Sequence, residues 1–449
     1  MKLSKRLGWV VLLFACSLAQ ADMLAGLKAY EQKKYEEAQQ QFAKLLPLGN
    51  ELAAYNLGAM AYQGEGQPQD LVRAIAYFGL AADQGHSQAD VILQQISPQA
   101  TAEQLQQAAQ YLAELKQQRI INPPVTDYVA NEPQPDPIKK VHPVYPKEAA
   151  FKGVFGYTAM RFLVNKDGSV ATIDILDEYP ARVFSKVSQR ALSRWKFPAS
   201  DQQQLGYVSL EYSISDSPAI GPGNSCSKVE SQIEEHQLWQ HAVNGSPEHQ
   251  LVLGTLLELC RLQSRARFRL DHSVSLTQTM PDLSIFTPRQ PPKINAKAFY
   301  GKALVQVDDS GVVQHESDFT LLPGKGITSL IGARVSGAGV ATLYQVVGKD
   351  EDGSNLITVM PVHTIGPGLS GRYWWQSAAR NGNKQAQRIM AGYDLHWEHY
   401  LVLQQDPQTM AWAGTRLILQ GQHDAGMQLL EQAIAKNYQP AKEMKQQFM

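Results

Sequence analysis

The fold of this chain is decided between Val141 and Pro198, where the sequence reads VHPVYPKEAAFKGVFGYTAMRFLVNKDGSVATIDILDEYPARVFSKVSQRALSRWKFP. One face of the run 158–164 is mostly apolar at every second position, which predicts a half-buried strand. The residues of 165–168, Asn-Lys-Asp-Gly, suit the turn of a hairpin. A second apolar alternation within 170–176 then predicts the returning strand.

The next segment predicts a helix and a third strand. Apolar residues recur there at three- and four-residue steps, which is the stripe of a helix that lies on a sheet, and Pro198 is expected to end this helix. The stripe consists of Phe184, Val187, Ala191 and Trp195. The third strand is predicted from the alternating residues Val208, Leu210, Tyr212 and Ile214. The order strand, strand, helix, strand describes a small α+β domain with a three-stranded antiparallel sheet.

Several residues of this stretch occur in an order that is typical of a known family. They are Tyr145-Pro146, Gly153, Gly156, Asp167-Gly168, Val170, Phe184, Ala191 and Trp195-Lys196-Phe197-Pro198. With this combination, the region from about Asn131 to Asp216 resembles the C-terminal domain of the TonB family of periplasmic energy transducers. The resemblance covers under a fifth of the chain and bears on this domain only.

The resemblance implies a peptide-binding site and a class of partner. In this family, the last strand offers its edge to an extended segment of an outer-membrane transporter, and backbone hydrogen bonds supply the affinity of such strand addition. The implied binding residues are Tyr207, Val208, Ser209, Leu210, Glu211 and Tyr212. The implied partners are proteins, either an outer-membrane transporter or components of an inner-membrane motor. Family members that transmit energy keep an N-terminal membrane helix, which this chain is expected to lose.

Residues 1–21 are predicted to be a cleavable signal peptide. A basic start precedes the apolar stretch Leu7–Leu18, and Ala19-Gln20-Ala21 matches a cleavage site, so that Asp22 would begin the mature chain. A lipoprotein with its lipid on Cys16 is the less favoured alternative, because the residues before this cysteine fit a lipobox poorly. The sequence therefore predicts a periplasmic protein.

The cysteine content agrees with export. Of three cysteines, Cys16 lies in the predicted leader, and Cys226 and Cys260 remain. An even pair in an oxidising compartment predicts one disulfide. Two buried free thiols are the alternative.

Residues 22–119 are predicted to be helical and repetitive. Four positions recur 36 residues later, namely Ala38, Phe42, Gly49 and Ala53 as Ala74, Phe78, Gly85 and Ala89. A period of this length predicts a solenoid of helix pairs. The copy from Ala54 to Gly85 resembles the Sel-like repeat, a relative of the tetratricopeptide repeat, and such repeats form concave surfaces that hold other proteins.

The remaining regions follow from composition and periodicity. A Pro-rich linker, 120–146, leads into the TonB C-terminal-like domain, 131–216. A helical segment, 225–270, precedes a β-rich domain, 271–370, whose short strands, Val274–Leu276 among them, favour a sandwich or barrel. Helical repeats return in 371–449, where Trp374 and Trp375 match the spacing of Tyr77 and Phe78.

The predicted fold class is a multidomain α+β protein. It comprises N-terminal α-solenoid repeats, a small ββαβ TonB-C-like domain, and a β-rich domain flanked by repeat-like helices. A length of 449 residues is sufficient for several domains that each bury their own core.

The sequence predicts no enzyme. The hydrophobic content of 44% and charged content of 18% are ordinary for a soluble globular protein, and the net charge of -1 gives no support for a nucleic-acid partner. The motif Asp350-Glu-Asp-Gly353 matches only part of a calcium loop and is interpreted as a hairpin turn, and His396 and His399 lack a third metal ligand. We therefore expect no catalytic residue, metal or small-molecule cofactor.

Two hypotheses of function remain. The first is a periplasmic protein-binding adaptor of TonB type, which engages an outer-membrane transporter by strand addition and is linked to transmembrane transport. The second is a periplasmic scaffold, in which the helical repeats hold protein complexes and no transporter is engaged.

Overall fold

The computed structural model describes residues 22–121, 137–212, 224–264, 267–271, 273–286, 301–308, 310, 312–321, 331–332, 342–349 and 355–449. The predicted leader 1–21, most of the Pro-rich linker and the proposed turn 350–353 lie outside these residues. The chain divides into two compact units, one formed by Met1–Leu46 with Asn50–Gln117 and one by Pro47–Gly49 with Gln118–Met449. Within the described ranges, no helix is both long and apolar enough to cross a membrane.

In its described residues, 22–46 and 50–117, the first unit is built from helices. They are α1 (Met23–Glu31), α2 (Tyr35–Leu45), α3 (Glu51–Gln63), α4 (Leu71–Asp83), α5 (Ala89–Ile96) and α6 (Ala102–Gln117). Helix α3 begins at a side-chain cap, since the Asn50 side-chain oxygen accepts the N–H of Ala53 at 2.8 Å. The predicted repeat is confirmed by burial, because Phe42 and Phe78 take equivalent places in the core. Gly58 lets α3 approach α4, since a Cβ there would lie 3.0 Å from the Phe78 ring.

The second unit begins with the predicted ββαβ domain. Its elements are α7 (Lys147–Phe151), β1 (Gly156–Val164), β2 (Val170–Tyr179), α8 (Ser185–Leu192) and β3 (Gln204–Tyr212). The sheet order is β2-β1-β3, and both pairs are antiparallel. Gly168 turns the β1–β2 hairpin at a φ of +82°, a conformation that other residues rarely adopt. Gly156 allows close approach at the start of β1, because a Cβ there would overlap the Tyr179 carbonyl oxygen.

Two details of this domain correct the predictions. Strand β1 is not half-buried but buried along its whole length, since both faces of the sheet are covered. Helix α8 ends at Leu192 rather than at Pro198. It stops early because the backbone of Lys196 pairs with Lys139, and the N–H of Phe197 donates to the Gly168 carbonyl oxygen at 2.8 Å.

Three helices and a second sheet follow. They are α9 (Asn224–Glu235), α10 (Leu238–Val243), α11 (Pro247–Ser264), β4 (Arg267–Leu270), β5 (Gly301–Val307), β6 (Val313–Leu321), β7 (Thr342–Lys349) and β8 (Asn355–Ile365). The described strands form one five-stranded sheet of order β4-β8-β7-β5-β6, where a sandwich or barrel was expected. Strand β4 lies within the segment predicted as helical and pairs in parallel with β8.

The predicted strand Val274–Leu276 is also wrong. This segment follows a turn in which the Asp271 carboxylate accepts the backbone N–H of Ser273 at 2.9 Å. Leu276 instead packs against the core of the central helices. The side chain–backbone bond offers the chain an alternative to a strand ladder at this point.

The chain then returns to helical repeats, as predicted. The helices are α12 (Gly371–Arg380), α13 (Lys384–Ala391), α14 (Leu395–Leu403), α15 (Pro407–Leu419), α16 (His423–Ala435) and α17 (Pro440–Gln446). Helices α11 and α12 pack as a pair in which Gly254 faces Trp375, since a Cβ at Gly254 would lie only 2.6 Å from the Trp375 ring. This is the same glycine–aromatic contact as between α3 and α4. The five-stranded sheet is therefore inserted between the two helices of one repeat.

Cys226 and Cys260 form the predicted disulfide. Their Cα atoms are 5.3 Å apart, and both residues are buried. The bond joins α9 to α11 across 34 residues of sequence. It thereby fixes α9 to the core that the central helices share with the ββαβ domain.

The first prediction concerns this bond. The double variant C226A/C260A should lower the free energy of unfolding by about 3–4 kcal/mol, because a closed loop of this size restricts the unfolded chain. The measurement is denaturant unfolding of oxidised protein. Reduced wild type is the control and should unfold near the variant. Equal stability of the oxidised wild type and the variant would contradict the prediction.

Candidate functional site

The edge of β3 is the candidate peptide-binding site. Among the described residues, β3 pairs with β1 and with no other strand, so its second edge lies at the border of the sheet. The β1–β3 register is continuous from Gly156 opposite Tyr212 to Val164 opposite Gln204. A straight strand without a bulge leaves the N–H and C=O groups of alternate residues directed away from β1, which is the arrangement that strand addition uses.

The structure brings the six predicted binding residues together on β3, but their side chains have different surroundings. Val208 and Leu210 pack into the core beneath α8, and Tyr207 packs towards the central helices. Ser209 and Glu211 are exposed. Tyr212 is buried, with its ring stacked on Phe184 at a centroid distance of 4.0 Å. The side chains therefore hold β3 in place, and the backbone edge is the part that suits a ligand.

The sheet face opposite α8 carries a buried ion pair. The Arg161 guanidinium on β1 donates two hydrogen bonds to the Asp174 carboxylate on β2, at 3.0 and 2.9 Å. Their side chains are only 6% and 13% exposed. Helix α15 completes the contact, since Gln408 donates to Asp174 at 2.9 Å and the Trp412 ring lies 4.5 Å from the Arg161 guanidinium carbon. The pair thus joins the sheet to the C-terminal repeats.

A second polar group on the same face joins the sheet to α11. The buried Tyr157 hydroxyl donates to the Asp177 carboxylate, and the Thr255 hydroxyl donates to it at 3.2 Å. Trp375 of α12 in turn donates its indole N–H to Thr255 at 3.2 Å. Burial is the largest effect on the Asp177 carboxyl and raises its pKa to about 7. The hydrogen bonds from Tyr157 and Thr255 lower this pKa and offset only part of the effect of burial.

Sequence reasoning missed this second face. The signal was the run Tyr157 to Val164, in which Thr158 and Arg161 are the polar exceptions in an otherwise apolar strand. A nearly continuous apolar run is typical of a strand buried on both sides. The partners on α11 and α15 could not be predicted, because Thr255 and Gln408 lie 78 and 234 residues from the carboxylates that they contact.

Metal-binding side chains do not cluster in the described ranges, where no group of three or more His, Cys, Asp or Glu residues could hold an ion. His396 instead contacts Asp394, with 2.9 Å between Nδ1 and the carboxylate oxygen, at the start of α14. His399 is exposed.

Two protein families match this chain. Residues 141–215 match the family described as Gram-negative bacterial TonB protein C-terminal. Residues 52–86 and 369–383 match the Sel1 repeat. The resemblances expected from the sequence are therefore confirmed for both families. The second Sel1 match covers only α12, because the inserted sheet separates this helix from its partner α11.

A curated protein and a solved structure each match a small part of this chain. The chain is 30% identical to Protein TonB of Pseudomonas aeruginosa over 67 residues, which are 15% of this chain and 20% of that protein. It therefore spans about a fifth of the length of this curated relative. A solution NMR structure of the Pseudomonas aeruginosa TonB CTD is 24% identical and covers 18% of this chain and 88% of that chain, with a TM-score of 0.17.

The buried ion pair generates the second prediction. Replacing Arg161 with Met leaves the Asp174 carboxylate buried without its cation and should lower the free energy of unfolding by about 3–5 kcal/mol. The double variant R161M/D174L should regain most of this loss, because it removes both charges. Denaturant unfolding followed by Trp fluorescence measures the change.

The matched control for this variant is a surface pair of the same domain. Lys152 and Glu148 are 2.8 Å apart and exposed, so K152M should leave the free energy of unfolding close to that of the wild type. Equal losses of the free energy of unfolding in K152M and R161M would refute the role assigned to the buried pair. A double variant R161M/D174L that loses as much as its two single changes together would also refute it.

The third prediction concerns pH. The pKa of Asp177 is about 7 in the folded protein and near 3.8 in the unfolded chain, so the folded state binds more protons between these values. Its contribution to stability is full below about pH 4 and is lost as pH rises through 7. The wild type should therefore lose stability relative to D177N between about pH 4 and 7. Unfolding of both proteins across this range measures the difference, and parallel pH profiles would contradict the assignment.

Proposed function

We propose that this chain is a protein-binding adaptor whose TonB-like domain binds an extended segment of an outer-membrane transporter along β3. The single observation that carries the proposal is the unbulged border strand β3, paired only with β1 among the described strands. A bound segment would extend the sheet to four strands. The proposal assigns the backbone of Tyr207–Tyr212 to this contact and links the protein to transmembrane transport.

The packing of β3 supports this proposal. Val208 and Leu210 are anchored beneath α8, and Leu205 and Tyr207 pack on the opposite face against the helices. A strand fixed from both faces is ordered before the ligand arrives. Preorganisation of this kind reduces the entropic loss on binding, because the receptor strand need not fold onto its ligand.

The repeat helices give the adaptor its second binding element. The Sel1 match in α3 and α4 lies in the first unit, and the repeats of the second unit already pack on the sheet. We assign the first unit to a second protein partner, such as a motor component. The chain would act in the periplasm after removal of residues 1–21, and no catalytic step, cofactor or nucleic acid is part of this role.

A periplasmic scaffold is the second candidate. It is favoured by the Sel1 matches in two separate parts of the chain, since repeat helices hold protein complexes without any strand addition. Under this alternative, β3 has no ligand and the TonB-like sheet serves as a packing surface for the C-terminal repeats. The two candidates differ in whether a peptide protects the β3 backbone.

The fourth prediction separates them. N-terminal peptides of outer-membrane transporters from the same organism should slow amide hydrogen exchange within Gln204–Tyr212 when added to the full chain. The full chain is needed because the contacts of Gln408 and Trp412 with the ion pair would be lost from an isolated domain. Exchange followed by mass spectrometry measures the protection.

The control is a peptide of the same sequence that is N-methylated at alternate residues. It keeps every side chain but loses half of its backbone donors, so it should give no protection if strand addition is the mode of binding. Protection by both peptides would point to side-chain recognition. No protection at millimolar peptide would favour the scaffold.

A further inference from the structure

The exposed side of α8 carries an unusual arrangement of charge. Lys186, Arg190 and Arg194 follow one another at four-residue steps, on α8 and the turn that continues it, and all three are exposed. None of them forms an ion pair with another residue in the part of the chain that the structure describes. We call these three residues the basic face.

The basic face is not required by the fold. Like charges four residues apart destabilise a helix slightly, and α8 contains no acidic residue to offset the pair Lys186 and Arg190. The core side of the same helix already anchors it, through Ser188, Ala191 and Leu192. An anionic partner would convert the repulsion along the basic face into attraction.

A small hollow lies beside the basic face. Its volume is about 40 Å³, and it is lined by Val141–Val144 on one side and by Val187, Arg190, Ala191 and Arg194 on the other. The Trp195 indole N–H donates to the Val141 carbonyl oxygen at 2.9 Å, which fixes the first wall against the end of α8. Val144 is 78% exposed at its rim. The hollow therefore combines an apolar rim with two guanidinium groups and the His142 imidazole.

We propose that the basic face and this hollow bind an acidic, extended segment of a partner protein. The spacing suits such a ligand, since alternate residues of an extended segment lie about 6.6 Å apart. Four residues of a helix advance about 6.0 Å, so carboxylates at alternate positions can follow the cations from Lys186 to Arg194. The hollow accepts one side chain of the segment between Arg190, Arg194 and His142.

The hollow favours a protein segment over an anionic membrane. A membrane presents a continuous layer of headgroups, which the basic face alone could contact. The hollow would then have no ligand. The acidic segment uses both features. This site lies on the α8 side of the sheet and does not rest on strand addition at β3.

The test uses the full chain and a defined probe. A fluorescent nine-residue peptide in which Glu alternates with Ser should bind the wild type, and the matched Gln–Ser peptide should not. The variant K186Q/R190Q/R194Q should bind the acidic peptide about tenfold more weakly, because three exposed ion pairs are removed. Higher salt should weaken binding to the wild type more than to this variant. Fluorescence anisotropy measures both effects.

The matched control removes the same charge elsewhere. Lys28, Lys34 and Lys44 are exposed on the first unit, and K28Q/K34Q/K44Q should bind the peptide as the wild type does. Unchanged affinity of the α8 variant, or an equal loss in the control, would overturn the proposal. Binding to phosphatidylglycerol vesicles with none to the peptide would also overturn it, in favour of a membrane. Amide hydrogen exchange of Ser185–Leu192 verifies that α8 remains folded in the variant. If it does not, the single variants K186Q, R190Q and R194Q replace it, and each should bind the acidic peptide about twofold more weakly.

Discussion

The structure of the second unit depends on the fact that β1 is buried on both faces. A three-stranded sheet with one helix covers only one of them, so the ββαβ domain cannot complete its own core. The central helices and the C-terminal repeats supply the missing layer, and Trp412 of α15 packs over the ion pair of Arg161 with Asp174. Gln408 and Trp412 of α15 both contact this pair, so it lies where the sheet meets the helices. The domain and the repeats are therefore parts of one core.

This shared core determines which surfaces remain for partners. The sheet has one face under α8 and the other under the helices, so neither face is available to a ligand. The border of the sheet at β3 and the outer side of α8 lie outside these two covered faces. These surfaces differ in chemistry, because one offers backbone groups and the other offers cations. A partner that used both would be recognised by its extended conformation and by its charge.

Local patterns predicted the elements of the fold well and their packing poorly. The turn at Gly168, the existence of strands β1 and β2 and the 36-residue repeat are confirmed, because each depends on residues close in sequence. The end of α8 at Leu192 and the strand β4 were missed, because each is decided by pairing with a distant segment. The disulfide was predictable from the parity of the cysteines. The six predicted binding residues are on one strand, and the burial of Tyr212 agrees with its place in the alternation with Val208 and Leu210.

The sheet inserted between α11 and α12 has a consequence for how the chain is made. Trp375 donates to Thr255 across 120 residues, so α11 must wait for its partner helix while the whole insertion emerges. The entropic cost of closing so long a loop reduces the stability of the folded protein only slightly more than a shorter loop would, since this cost grows with the logarithm of loop length. It slows assembly, however, and leaves an apolar helix uncovered during biosynthesis. The order in which the segments appear therefore decides when α11 is most prone to aggregation. A chaperone that covers α11 would protect the nascent chain.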